Sequence, residues 1–346
     1  MTVDEAFEDT HDLLSLDDPQ QVLETLRAIG VCDSDESIVD MGKAGEGNMN
    51  LVLRVTTDRQ SVVVKQARPW VEKYPTIAAP AERILAEIDF YERVAGVAEL
   101  SRVMPSVVAT DPTQRLLVLE DLGEASDYMS LYDPASESHN AQTVFNEAGR
   151  WVGALHEQGA CAGDSAGCDS LRELNHAHIF SIPLSDPPAL SLDSVCDGLE
   201  AASNFVRANR ALHQAMEWLG EVYLRGEATQ PVLLHGDYYP GSWLQTTGGF
   251  RVIDPEFCFR GPREFDLGVM AAHRIFCHGA PDSTTIETLC KDYGHDVSVE
   301  LVGGFAGVEI IRRLIGVAQL PLVADLPTRK QWLALGEELV LKSHSS

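Results

Sequence analysis

The sequence predicts an α+β chain of two lobes, a small β-rich lobe over residues 1–122 and a larger, mainly helical lobe over 123–346. Three observations predict it. A chain of 346 residues, 45% of them hydrophobic, can bury more than one compact core. Short β-branched runs punctuated by glycine and proline crowd its first third. After Gly123 the apolar spacing changes to that of long amphipathic helices.

The elements follow in order. "DDPQQVLETLRAIG" (17–30) reads as a helix, capped by Asp17 or Asp18, with Pro19 in the first turn and Gly30 ending it. "SIVDMGKAGEGNMNLVLRVTT" reads as strand, glycine-rich turn and strand, and "SVVVKQA" as a third strand. "APAERILAEIDFYERVAGV" spaces Ile84, Ile88, Tyr91 and Ala95 as one helix face. "SVVATD" and "RLLVLEDL" supply two more strands, so five strands and a helix make up the small lobe.

"ASDYMSLYDPASES" is polar and reads as loop, whereas "AQTVFNEAGRWVGALHEQG" puts Val144, Ala148, Trp151 and Leu155 on one helix face. Residues 160–190 read as irregular with a short helical piece, and "DGLEAASNFVRANRALHQAMEWLGEVYLRG" as one long helix. Two strands lie around 232–254, followed by helices near 266–277, 283–292, 299–317 and 328–341. No internal repeat or low-complexity tract is found.

Composition excludes several classes. A net charge of −27 argues against nucleic acid, whose binding relies on Lys and Arg to release counterions. No run of about 18 apolar residues is present to cross a bilayer, and the amino terminus lacks the order of a signal peptide. The seven cysteines include no C-x-x-C pair and read as reduced thiols, so a cytoplasmic protein is expected.

The chemistry is concentrated in a few places. In "VLLHGDYYPGSWLQTTGGFRVIDPEF" (232–257), Asp237 opens a hairpin, and Asp254 and Glu256 follow it. In an extended backbone, residues two apart point the same way, so Asp254 and Glu256 are expected to converge. Converging carboxylates repel unless a cation lies between them, and hard oxygen donors suit Mg²⁺. Asp237 is placed to accept a hydroxyl hydrogen bond, the division of roles found in phosphoryl transfer.

Lys65 ends the buried run "SVVVK", where an ammonium needs an anionic partner: Glu87 on the next helix, or a triphosphate. A surface lysine at a strand end is the alternative. In "GKAGEGNMN", Gly45 and Gly47 let backbone approach an anion, and Asn48 and Asn50 add amide donors. An ordinary hairpin turn would look the same. Arg312 and Arg313 share a helix about 100° apart, and Glu309 is placed for an i,i+4 salt bridge to Arg313.

"GEGNMNLVLRV", "VVVKQA", "LVLEDL", "HGDYYPGS", "VIDPEFCFRGPREFDLG" and "EIIRRLIG" together resemble the aminoglycoside phosphotransferase and choline kinase superfamily, a branch of the protein-kinase-like fold. Within it they look like the methylthioribose kinases. Most of the wider superfamily has asparagine where this chain has Ser242, and a lone metal aspartate where it has Asp254 and Glu256.

The resemblance implies ATP and Mg²⁺ as cofactors, a small sugar or polyol acceptor, and a homodimer. It makes Asp237 the catalytic carboxylate near a sugar 1-hydroxyl. Asp254 and Glu256 would bind the metal, and Lys65, paired to Glu87, the α- and β-phosphates. Gly45, Gly47 and Asn48 would cover the triphosphate, and the backbone of Glu120 and Leu122 would bond adenine. Arg312 and Arg313 would reach the sugar and the transferring phosphate. His235 is expected to brace the loop without acting as a base. The segment between "FDLG" and "EIIRRLIG" looks about thirty residues shorter than in methylthioribose kinases, and "RPWVEKYPTIAAP" diverges from theirs. An aminoglycoside or other amino-sugar phosphotransferase, or an inactive nucleotide-binding regulator, are the other readings.

Overall fold

The computed structural model describes residues 13–45, 49–136, 139–158, 167–225 and 231–345. The first helix, α1 (Pro19–Ala28), starts and stops as its sequence dictates. The Asp18 carboxylate accepts the Gln21 N–H, Pro19 occupies the first turn, and Gly30 takes a positive φ of 77° just beyond the end.

A five-stranded antiparallel sheet follows, built from β1 (Ile38–Lys43), β2 (Leu51–Thr57), β3 (Ser61–Gln66), β6 (Val107–Asp111) and β7 (Leu116–Glu120) in the order β1-β2-β3-β7-β6. Between β3 and β6 come β4 (Trp70–Val71), β5 (Tyr74–Ala78), α2 (Arg83–Ala95) and α3 (Ala98–Ser101). Strand β2 alternates buried and half-buried residues, the period-two pattern of a strand with one covered face. The five strands expected in this region all form. The β4–β5 hairpin was not expected, because Pro75 and the exposed charges of "WVEKYPTIA" hide its short pairing.

The rest is mainly helical, as expected: β8 (Ala125–Asp127), α4 (Ala141–Gln158), α5 (Asp169–His176), α6 (Leu199–Arg207) and α7 (Arg210–Arg225), then β9 (Val232–Leu234), β10 (Trp243–Thr246), β11 (Gly249–Val252), β12 (Phe259–Gly261), α8 (Glu264–His278), α9 (Thr284–Tyr293), α10 (Val299–Ile315) and α11 (Leu326–His344). Two expectations are corrected. The stretch read as polar loop after Gly123 contains β8, which pairs with β10, and buries Tyr128, Leu131 and Tyr132. The single long helix near 197–226 is two, because the Asn209 carboxamide accepts the N–H groups of Ala211 and Leu212 and caps a new start.

One apolar cluster lies between α1 and a face of the sheet. The other joins α2 and the opposite side of β7 to the helical part, so the small lobe is anchored through α2. Helix α10 is buried on every side from Leu301 to Ile315. Glycines make room for it: a Cβ on Gly307 would lie 2.5 Å from the Gly336 carbonyl oxygen of α11. Overpacking that contact with Gly307→Val is expected to cost about 1–3 kcal/mol, read as a lower midpoint in urea or thermal unfolding. An unchanged midpoint would show that the two helices can part freely.

Candidate active site

Two loops cross at the centre of the molecule. The first, 235–242, joins β9 to β10 and carries Asp237; the second, 253–258, joins β11 to β12 and carries Asp254 and Glu256. Gly236 has a φ of +86°, and a Cβ there would sit 1.9 Å from the Phe257 carbonyl oxygen, so only glycine permits the crossing. The Ile253 N–H donates to the Ser242 carbonyl at 3.0 Å, and His235 Nε2 lies 3.0 Å from the Ile253 carbonyl. Burial holds the His235 imidazole below its usual pKa, which leaves it neutral and able to donate through Nε2. It braces the loops, as expected. Ser242 Oγ donates to the Asp237 carbonyl at 2.8 Å, so this serine also holds the loop.

On one side of the crossing stands Lys65, buried in the middle of the sheet between β2 and β7. Its Nζ lies 2.6 and 2.8 Å from the two Glu87 oxygens and 2.5 Å from Asp254 Oδ1. Burial alone would lower the lysine pKa; the carboxylates of Asp254 and Glu87 outweigh it and hold the ammonium well above its ordinary range. The surface-lysine alternative is excluded. The extended geometry expected for Asp254 is corrected, because it adopts a φ of +67°, in the left-handed region. Asp254 and Glu256 are thereby presented differently: the Asp254 side chain is 45% exposed and meets Lys65, whereas Glu256 is buried. Glu256 Oε2 accepts from Asn50 Nδ2 at 2.7 Å and lies 3.8 Å from Arg83 Nε. Burial, reinforced by the charge of Asp254, pushes the Glu256 carboxyl up to about 8.

On the other side of the crossing is α10. Arg313 Nη2 lies 3.1 Å from Asp237 Oδ1, and Arg312 Nη1 lies 3.9 Å from the same oxygen. Both also bind Glu309, at 2.6 Å from Arg313 Nε and 3.0 Å from Arg312 Nη1. The i,i+4 salt bridge and the reach toward Asp237 are therefore both present. Three and four residues from Glu309 are adjacent places on a helix surface, so one carboxylate orients two neighbouring guanidiniums. The buried His273 Nε2 approaches Glu309 at 3.1 Å, with Tyr132 Oη at its Nδ1, and the Arg313 guanidinium stacks 4.6 Å from the Tyr239 ring centre.

The remaining expected residues make no hydrogen bond or ion pair with this cluster among the described residues. Gly45 lies two residues beyond the end of β1, whereas Gly47 and Asn48 lie outside the described residues. Glu120 ends β7; its N–H donates to Ser106 O at 2.9 Å, and its carboxylate accepts from Ser106 Oγ at 2.8 Å. Leu122 is half-buried two residues on.

The sequence matches the APH phosphotransferase enzyme family over residues 42–300. The chain belongs to that family. It is a phosphotransferase that acts on a hydroxyl group. The methylthioribose kinase of Exiguobacterium sibiricum is 28% identical, covering 89% of this chain and 86% of its own length. That of Erwinia tasmaniensis is 29% identical and covers 92% of each. Among solved structures, the choline/ethanolamine kinase family protein of Mesorhizobium loti superposes with a TM-score of 0.52 at 15% identity, covering 94% of this chain and 95% of its own. Choline kinase LicA of Streptococcus pneumoniae gives 0.51 at 13%, covering 94% and 98%. These two structures establish the bilobal, protein-kinase-like fold.

Two residues of this phosphotransferase escaped the sequence reading. Arg83 is fully buried and donates to Asn50 Oδ1 at 2.9 Å and to the carbonyls of Met49, Arg68 and Pro80, tying the end of the glycine turn to Glu256. Its signal was available: it lies four residues before Glu87, on the same helix face. Asp266 accepts the N–H groups of His235 at 2.8 Å and Gly236 at 3.0 Å, and so holds the Asp237 loop. A carboxylate inside the apolar run "FDLGVMAA" was its signal.

Burial raises the Glu309 pKa, but Arg312 and Arg313 more than reverse that and hold it well below the carboxylate range. Its contribution to stability is present above the unfolded carboxylate pKa and is lost as pH falls through the lowered value. Glu309→Gln should therefore lower stability near neutral pH by about 3–5 kcal/mol and flatten the loss of stability on acidification, both read by urea unfolding across pH. Equal stability of the two proteins at neutral pH would contradict the pairing.

Proposed function

We propose that the chain is an ATP-dependent kinase of the cytoplasm that phosphorylates methylthioribose or a closely related ribose derivative, serving methionine salvage. Residues 1–122 would bind the nucleotide, and 123–346 the acceptor and the catalytic groups. The observation that carries this reading is the placement of Asp237 against Arg313, on a loop interlocked with the one where Asp254 meets Lys65.

The donor set fits Mg²⁺. Burial and the adjacent Asp254 charge oppose ionisation of Glu256, and a cation shared by the two carboxylates would relieve both. Two carboxylates leave the other octahedral positions to phosphate oxygens and water, the usual habit of this ion. When bound, Mg²⁺ would neutralise charge on the phosphate oxygens.

The chain's own groups supply the rest. Asp237 orients the acceptor hydroxyl and takes its proton, while Arg312 and Arg313 offset the charge that develops on the equatorial oxygens of the transferring phosphoryl group. Lys65, its position fixed by Glu87, engages the α- and β-phosphates. Gly45, with Gly47 and Asn48, covers the triphosphate. At the hinge, where the Glu120 N–H is held by the Ser106 carbonyl, the Glu120 carbonyl and the Leu122 N–H would bond the adenine edge. A neutral sugar suits the acceptor side better than a polycationic aminoglycoside, which would have to approach two guanidiniums.

Purified protein assayed for ATP consumption against pentoses, thio-sugars, aminoglycosides and choline should turn over ribose derivatives and leave aminoglycosides untouched. Turnover of aminoglycosides alone, or nucleotide binding with no turnover on any acceptor, would sink the reading. Asp237→Asn should lower kcat by about 10² to 10⁴ with nucleotide affinity retained. Arg313→Ala should impair phosphoryl transfer and acceptor use more than nucleotide binding. A loss of ATP affinity alone would move Arg313 off the acceptor side.

A further inference from the structure

A cavity of about 630 Å³ opens between α4, α8 and α9, apart from the crossed loops. Gly149 and Gly153, four residues apart on α4, line it, and a Cβ at either position would meet no atom closer than 3.8 Å. Glycine weakens a helix interior, so a glycine pair of this kind preserves space at some cost. The buried part of the lining is apolar, formed by Phe145, Met270 and Leu289, with one exception.

That exception is Arg274, which is 8% exposed. Among the described residues its guanidinium meets the Gln142 carboxamide at 2.9 Å, no carboxylate pairs with it, and its Nε has no acceptor. A buried guanidinium without a counter-ion is costly and is recognised best by a carboxylate. The exposed lining is net acidic: Glu99, Glu157 and Asp292 place three carboxylates around the opening against the one guanidinium of Arg150. A ligand that suits both regions is negative where it meets Arg274, positive toward the opening, and apolar in between.

The cavity is also wired to the Asp237 loop. Tyr293 lines it, and its hydroxyl lies 2.9 Å from His156 Nδ1. His156 Nε2 lies 3.3 Å from Asp266 Oδ2, and the same carboxylate accepts the N–H groups of His235 and Gly236.

We propose that this cavity binds a small zwitterion of the ω-amino-acid class with an unbranched methylene chain between its charges, its carboxylate on Arg274 and its ammonium toward the opening, and that occupancy tightens the 235–242 loop through Tyr293, His156 and Asp266. The inference does not depend on which acceptor is phosphorylated. 6-Aminohexanoate is the probe, with hexanoate lacking the ammonium and pentylamine lacking the carboxylate. Calorimetry on the full chain should show saturable 6-aminohexanoate binding, weaker by about tenfold or more for each truncated probe. Arg274→Gln should weaken 6-aminohexanoate binding by a similar factor. Gly149→Leu, which fills the cavity from a stable helix position, should abolish binding and guards against misfolding of the arginine variant. Hydrogen exchange of the peptide spanning 232–246 should slow when 6-aminohexanoate is bound, and the slowing should vanish in Tyr293→Phe. Absence of saturable binding, binding as good for hexanoate as for 6-aminohexanoate, or binding indifferent to both Arg274→Gln and Gly149→Leu overturns the site. Binding with unaltered exchange in the unmutated protein overturns the link to the loop.

Discussion

One buried ammonium joins the two halves of the molecule. Lys65 sits within the sheet, where a charged side chain loses its water, and the desolvation of such a group amounts to several kcal/mol before its partners act. Glu87 from α2 and Asp254 from the 253–258 loop supply the compensation, one from each side of the cleft. The two partners are not equivalent. Glu87 is wholly buried, whereas Asp254 is nearly half exposed. A ligand entering the cleft can thus engage Asp254 while Glu87 keeps Lys65 ionised and in place. That asymmetry lets a fixed charge on the sheet face a variable partner without threatening the fold.

The same logic recurs around Glu309, with the signs exchanged. There a buried carboxylate orients two guanidiniums on a helix that is otherwise apolar on every side. The chain carries 53 acidic against 26 basic residues, so cations are scarce, and arginines do much of the interior work at positions 83, 274, 312, 313 and 329. Arginine suits that duty because its planar fork can satisfy several acceptors at once and it keeps its charge when buried. The excess acid lies mostly outside, where it affects solubility and long-range attraction more than the fold.

Much of this was legible in the sequence. Short β-branched runs set off by glycine-rich turns made the strands of the sheet legible, and the alternating burial of β2 agrees with that reading. An ammonium ending a buried strand called for an anionic partner, with Glu87 and a triphosphate both open, and the structure places Glu87 there. Other features were hidden for physical reasons. The left-handed backbone at Asp254 depends on how two loops cross, which is a long-range contact and leaves no local periodic mark. Arg83 was passed over because an arginine in an amphipathic helix reads as surface until the carbonyls that surround it are known. β8 was read as loop because "ASD" carries no strand propensity; it is a strand only because β10 offers it an edge.

The relatives show that length varies, and the fold says where such variation costs least. The alignment with the Exiguobacterium sibiricum enzyme spans 357 positions, more than the 346 residues of this chain, so gaps open on this side. The crossed loops leave no slack for such change: a Cβ on Gly236 would overlap Phe257, and Asp266 holds two successive amides of the same turn. A residue added or lost there would shift Asp237 and Asp254 together, since neither loop can move without the other. Length variation is expected instead where backbone is exposed and few buried groups depend on it, a description that fits the β4–β5 hairpin with its exposed Tyr74 and Ile77.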